Sequence, residues 1–246
     1  PSLVLPLQTS RGCYHGKCAF CNVGYGYPSP YRQVDAERLV EHMLALTKRY
    51  GVRHIFFADE AISPRTLRDL AAALEGLGSP LHWCGCARFE KALKRELLER
   101  MARGGCRMLL FGLETASPPI MQYMAKGTQL DCMRRVLQDS AWAGIWNHTF
   151  FFFGFPGETI DHAQETVNFV YEQSTVLPAR SGVGCVRRRR RQRTVCRIPH
   201  RHHPSGATRG RNRCAAGGRR TLRLVHQTNK KARCVSGPFR LYWLGD

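Results

Sequence analysis

Over the first 180 residues, five short apolar runs alternate with five amphipathic segments of helical length, and this alternation limits the fold more than any other feature of the chain. The runs cover residues 3–7, 54–58, 81–87, 107–113 and 148–155; the segments cover 36–50, a stretch opening at Pro64, 91–103, 130–143 and 160–173. Strand, helix, strand, repeated in this way, predicts a parallel sheet. Ser63 and Pro64 followed by TLRDLAAALEGLG supply a capping side chain, a proline at the first helical position and a glycine at the end. Strands covered on both faces read as unbroken apolar runs, and FFFFGF, ending at Phe155, does so. No apolar run reaches the roughly 18–20 residues of a membrane span. The expected class is a soluble α/β domain without a membrane partner.

Composition divides the chain. The formal net charge is +20, which taken alone suggests a polyanionic partner. Residues 1–180 nevertheless hold 20 basic and 17 acidic side chains, whereas residues 181–246 hold 18 basic ones and the single acid Asp246. From Arg187 the sequence reads RRRRRQRTVCRIPHRHHPSGATRGRNRC and the apolar periodicity stops. One reading is a disordered basic tail for RNA or another polyanion. The other, which weighs more, is out-of-frame translation of a GC-rich gene, which gives such a mixture with almost no acids. His200, His202, His203 and Cys196 belong to that tail and are not expected to form a metal tract.

Cys13, Cys18 and Cys21 are spaced CxxxxCxxC just after the first apolar run, and no cysteine follows until Cys84. Clusters used only for electron transfer take four thiolates. Three in one compact loop leave an iron open to a ligand that is not protein. Zinc sites want four ligands, usually as two pairs; His15 could join the three thiols, but no second pair lies at a finger-like distance. Disulfides need an oxidising compartment, and no signal peptide is seen. Reduced thiols in the cytoplasm fit better.

The segment TSRGCYHGKCAFCNVG resembles the cluster loop of the radical S-adenosylmethionine (SAM) superfamily, whose commonest form is CxxxCxxC with an aromatic residue before the last cysteine. Phe20 fills that place. The longer first spacing is similar to that of a subgroup whose members often carry a cobalamin-binding domain ahead of the barrel. FADEAISP, GCRMLLFGLETAS, the pair Lys126 and Gly127, and GFPGET resemble the superfamily's ordered series over about residues 3–175. The resemblance implies a partial (β/α)6 TIM-like barrel. Its sixth strand is due at about 177–186, where only SGVGCV precedes the arginines. The barrel is therefore expected to stop after its fifth βα unit, with a core domain at 1–180 and a basic irregular tail at 181–246.

Barrel enzymes place reactive groups at the carboxyl ends of their strands. Here the runs end in Asp59 and Glu60, Arg88, Glu114, and Gly154, Gly157 and Glu158. Such charges can simply mark the chain's return to water. The resemblance implies more: Cys13, Cys18 and Cys21 ligate one [4Fe-4S] cluster, and Glu60 and Glu114 accept from the amino group or ribose of SAM. Arg88 pairs with a carboxylate of SAM or substrate, and Phe20 and Phe155 flank the adenine. The period of two puts Cys84, Cys86 and Arg88 on one face, where the thiols are small core residues, an extra ligand or a radical relay. Cys106 and Cys132 show no comparable arrangement. His148 is expected at the bottom of the barrel in a structural role.

The activity implied by the resemblance is reductive cleavage of SAM to a 5′-deoxyadenosyl radical that takes hydrogen from an organic substrate, followed by methyl transfer or rearrangement. It needs an electron donor such as flavodoxin or ferredoxin. Cobalamin would come through a domain absent from this chain, which has no DxHxxG motif. Two alternatives remain: a methylthiotransferase acting on tRNA or a ribosomal protein, and a basic nucleic-acid-binding protein with a structural metal.

Overall fold

A computed structural model of the protein describes residues 3–21, 31–77, 81–176 and 181–185. The described chain runs β1 (Val4–Leu7), β2 (Ser10–Arg11), β3 (Arg32–Gln33), α1 (Ala36–Tyr50), β4 (His54–Phe57), α2 (Pro64–Glu75), β5 (His82–Ala87), α3 (Arg95–Arg103), β6 (Cys106–Glu114), α4 (Pro118–Tyr123), α5 (Leu130–Trp142), β7 (Trp146–Phe151), α6 (Ile160–Val176) and β8 (Ser181–Cys185). Six strands form one sheet in the order β1-β4-β5-β6-β7-β8, and every neighbouring pair is parallel. Spatial order thus equals chain order. A doubly wound sheet would reverse direction partway; an unreversed run with right-handed crossovers keeps its helices on one side and forms a barrel wall.

Alternation along the strands fixes the two faces. In β5, Trp83, Gly85 and Ala87 are buried whereas His82, Cys84 and Cys86 are half-buried, and β4 and β7 follow the same rule. The buried face carries Ile55, Phe57, Trp83, Leu109, Phe111 and Leu113, packed in one core with Met43, Leu70, Leu74, Leu98 and Met101 of the helices. At roughly 1.5–3 kcal/mol per buried large apolar side chain, this layer dominates stability. The half-buried face is the inner wall.

The helix ends follow from local chemistry. Asp35 caps α1 by accepting from the Glu37 N–H at 3.0 Å, and left-handed Gly51 (φ 64°) ends it. Ser63 caps α2 by accepting from the Thr66 N–H at 3.1 Å ahead of Pro64. The segment expected from residue 91 becomes helical only at Arg95, because residues 90–94 make a turn that buries Leu93. No helix among the described residues is long and apolar enough to cross a membrane.

Three expectations need correction. The sixth strand is present: β8 pairs with β7 from Asn147↔Ser181 to Phe151↔Cys185, so SGVGC completes a six-stranded wall instead of opening the tail. Weak apolar character hid it, since a strand next to another strand takes most of its hydrogen bonds from backbone. The fifth strand runs from Trp146 to Phe151, not from His148 to Phe155, because left-handed Gly154 (φ 88°) turns the chain away. His148 therefore sits inside the strand on the inner wall, not at its foot. Residues 186–246, with the histidines and Cys196 of the tail, lie outside the described residues.

Candidate functional site

The cysteine loop leaves β1 at the carboxyl edge of the sheet, and three sets of bonds hold it there. At its start, the buried Asp59 carboxylate accepts from the Thr9 N–H (2.9 Å to Oδ2), the Thr9 hydroxyl (2.8 Å) and the Ser10 hydroxyl (2.6 Å). The first expected strand-end acid is thus an internal staple. At its end, β2 and β3 pair antiparallel through Ser10↔Gln33 and Arg11↔Arg32, closing the loop into a ring. Within it, the Cys21 N–H donates to the Cys18 carbonyl at 3.2 Å, so the last two cysteines share a tight turn.

The third set comes from the end of α4. The Lys126 N–H returns to the Met121 carbonyl and the Ala125 N–H to the Gln122 carbonyl, with Ala125 left-handed at φ 51°. This is a Schellman closure with alanine where glycine is usual. It turns three successive carbonyls outward: Met124 accepts from the Ala19 N–H at 2.9 Å, Ala125 lies 2.9 Å from His15 Nε2, and Lys126 accepts from the Arg88 guanidinium. Left-handed Gly127 (φ 70°) follows, and a methyl group there would meet His15 at 3.2 Å. His15 is thereby engaged by backbone.

Arg88, at the end of β5, is buried and reaches the loop itself. Nε donates to Glu90 at 3.2 Å, a second nitrogen lies 3.6 Å from Cys18 Sγ, and the third bonds Lys126. Burial opposes the Arg88 cation, but the neighbouring Cys18 sulfur, Glu90 and Tyr14 outweigh it and raise its pKa. Each guanidinium nitrogen has a protein partner, so Arg88 braces the loop, and its terminal nitrogens keep further N–H donors beyond these contacts. Tyr14, half-buried beside it, donates to Glu90 at 3.0 Å, and burial with the Glu90 charge raises its pKa far above the ordinary phenol value.

Glu114, at the end of β6, accepts from Lys126 Nζ at 3.1 Å; the two side chains are 15% and 4% exposed. Glu114 has φ 62°, a left-handed conformation rare outside glycine, and a bulge between Gly112 and Glu114 delivers it to the mouth. Lys126 Nζ also stands 5.6 Å over the Phe20 ring, whose edge meets Phe152 at 5.4 Å. Phe155 is buried in a small cluster with Ile120 and Met124, against which Ala19, Phe20 and Phe152 pack. The structure thus brings Cys18, Phe20, Arg88, Glu114 and Phe155 together around Lys126. Lys126, Glu90 and Tyr14 went unassigned in the sequence reading; the KG pair before the fifth helix was the available signal for the first.

Glu60 is exposed at the end of β4, and its described influence falls on Cys86. Burial, with the charges of Glu60 and Asp59, pushes the Cys86 thiol up to about 11. Cys84, whose thiol lies 3.8 Å from the Ile55 carbonyl, is raised by burial as well. Both thiols face the inner wall in the protonated form. Glu158 donates order to the last turn: its carboxylate accepts from the Gly154 N–H, while its other oxygen is buried without a partner among the described residues.

The family model described as Radical SAM superfamily matches residues 7–170. An uncharacterized methyltransferase, PH0819, of Pyrococcus horikoshii is 27% identical over 165 residues, 66% of this chain and 36% of that protein. The ribosomal protein uS12 methylthiotransferase RimO of Desulforudis audaxviator is 31% identical over 180 residues, 67% of this chain and 38% of that protein. Among solved structures, the radical SAM methyltransferase TsrM of Kitasatospora setae, with cobalamin and a [4Fe-4S] cluster bound, superposes with a TM-score of 0.64 at 18% identity, covering 75% of this chain and 34% of that one. The chain therefore spans little more than a third of the length of these relatives.

Proposed function

Because this chain belongs to the radical SAM superfamily, we propose that Cys13, Cys18 and Cys21 hold a [4Fe-4S] cluster and that the mouth around Lys126 binds SAM. The donor chemistry fits: three thiols lie in nine residues of one loop that the protein braces from three directions. Among the described residues no three His, Cys, Asp or Glu side chains are gathered into a metal-ligand set, so loading draws the thiols together within the closed ring. When bound, the cluster supplies the electron for cleavage of SAM to methionine and a 5′-deoxyadenosyl radical.

The protein's own residues supply orientation and dryness. Arg88 places a cation beside Cys18 and offsets the thiolate charge that ligation requires. Glu114 is the acceptor suited to the SAM amino group or ribose, and Lys126 holds it in place until then. Phe20 and Phe155 form the apolar side of the mouth, suited to adenine. Glu60, exposed on the opposite rim, is a weaker acceptor for the ribose. The downstream step we assign is methyl transfer or rearrangement on an organic substrate, with cobalamin supplied by a domain outside this chain, as the likeness to TsrM suggests. A flavodoxin or ferredoxin would give the electron, in a cytoplasm where thiols stay reduced.

The single observation that carries this reading is the docking of the three-cysteine loop on Arg88 and the α4 carbonyls at the carboxyl edge of the sheet. Anaerobic reconstitution of the chain with iron and sulfide should give about four irons and dithionite-dependent release of 5′-deoxyadenosine. Each single Cys→Ser change at 13, 18 or 21 should abolish both. Full iron content in any one of these variants sinks the assignment.

A second reading, methylthio transfer to tRNA or a ribosomal protein, is favoured by the identity to RimO. It predicts a mass gain of a methylthio group, not a methyl group, on the acceptor. The binding-protein alternative loses ground: near-neutral residues 1–180 hold the family match, and the excess charge lies outside it.

A further inference from the structure

The inner wall holds a histidine with nothing to do. Along β7, Asn147, Thr149 and Phe151 are buried against the helices, whereas His148 and Phe150 face inward and are half-buried. Neither ring nitrogen of His148 has a hydrogen-bond partner among the described residues; its ring meets the edge of Phe150, at 4.9 Å and 70°. Half-buried, with both ring nitrogens clear of described partners, the imidazole is open to a ligand. His15, by comparison, reaches the Ala125 carbonyl, and His82 takes a bond from Arg107.

The register explains why the imidazole stays open. His148 lies between Leu110 on β6 and Gly182 on β8, and Phe150 lies between Gly112 and Gly184. On the β8 side both neighbouring positions, Gly182 and Gly184, carry no side chain, which leaves a trough floored by His148 and Phe150. The trough ends at the mouth, where Glu114 and Lys126 fill the space over Gly112: a methyl group there would meet Glu114 Oε1 at 2.5 Å and Lys126 Nζ at 2.9 Å. A molecule lying in it reaches the reaction site. Burial lowers the pKa of His148 below its usual value, so at neutral pH the ring offers one N–H donor and one lone pair.

We propose, building on the SAM-dependent reading above, that His148 is the substrate's polar anchor and that the substrate presents a flat, largely apolar ring system carrying one hydrogen-bonding oxygen or nitrogen. Phe150 and Leu110 take the ring, Gly182 and Gly184 make room for it, and the imidazole selects the polar atom.

The test uses the full reconstituted chain and two probes of one shape, 2-naphthol and naphthalene. Wild type should bind naphthol about tenfold more tightly, the effect of one buried hydrogen bond. In His148→Phe the preference should fall to about twofold or less while naphthalene still binds. His148→Leu serves where the larger ring disturbs the fold, and His148→Gln should keep part of the preference. An unchanged preference in both His148→Phe and His148→Leu, or no saturable binding of either probe to wild type, overturns the proposal. The two readings fail separately: a wild-type chain without iron or SAM cleavage overturns the earlier function, whereas one that cleaves SAM yet shows no His148-dependent preference overturns this assignment.

Discussion

Asp59 offers the sharpest test of how the cysteine loop is held. Its carboxylate is 5% exposed and accepts from three donors, the N–H and hydroxyl of Thr9 and the hydroxyl of Ser10, which are themselves 0% and 4% exposed as residues. Hydrogen bonds to a charged group contribute about 1.5–3 kcal/mol each, and buried donors left without a partner add their desolvation cost. Bonds that share one acceptor are not additive, so Asp59→Ala should lose about 3–5 kcal/mol, a large part of the roughly 5–15 kcal/mol that holds a domain folded. Asp59→Asn keeps one oxygen for the hydroxyls but turns a nitrogen toward the Thr9 N–H, and should lose about 2–3 kcal/mol. Thr9→Val removes a single donor and should lose about 1–2 kcal/mol. Urea unfolding followed by circular dichroism measures all three, with an unchanged slope showing that only stability moved. If Asp59→Ala falls within about 1 kcal/mol of wild type, the staple is not holding the loop and the argument is wrong.

Two further outcomes follow from packing and charge. A methyl group on Gly85 would sit 2.7 Å from Ile62 Cδ1 and 3.0 Å from Phe57 Cβ. Gly85→Ala should therefore lose about 1–3 kcal/mol by overpacking, and adding Ile62→Val should restore part of it; a neutral Gly85→Ala in urea unfolding contradicts that fit. Burial raises the Glu158 pKa above its usual 4.5, so the folded state holds that proton more tightly than the unfolded one. Its contribution is full below the unfolded pKa and is lost as pH rises through the raised folded value. The melting temperature of Glu158→Gln relative to wild type should accordingly climb between about pH 4.5 and neutrality, and a difference independent of pH would count against the buried carboxylate.

What could be read in advance divides along physical lines. Helix α1 was legible to the residue because its cap, periodic face and terminal glycine are all local. β4, β5, β6 and β7 came through as apolar runs because one face of each is buried. β8 was missed because two of its five residues are glycines, which give no apolar signal, and it is specified by backbone pairing with a neighbour. The two-residue strands β2 and β3 are too short to show a period, and α4 opens with two prolines that read as loop. The three cysteines were visible by spacing. Lys126 was not, since its importance comes from standing between Arg88, Glu114 and Phe20, residues 38, 12 and 106 positions away. His148 was misplaced by two residues of strand, enough to move it from the foot of the wall into the strand's interior.

The row of carbonyls at Met124, Ala125 and Lys126 has a consequence for how this loop could ever be found by mutation. The groups that position it there are main-chain atoms, and side-chain replacement leaves them in place. Alanine scanning leaves residue 125 untouched, since it is already alanine, and at Met124 reports the loss of a buried side chain instead of the carbonyl on which the register of the loop depends. Edits that move or delete backbone, such as a one-residue insertion after Tyr123 or a proline at Ala19, would report what the scan conceals.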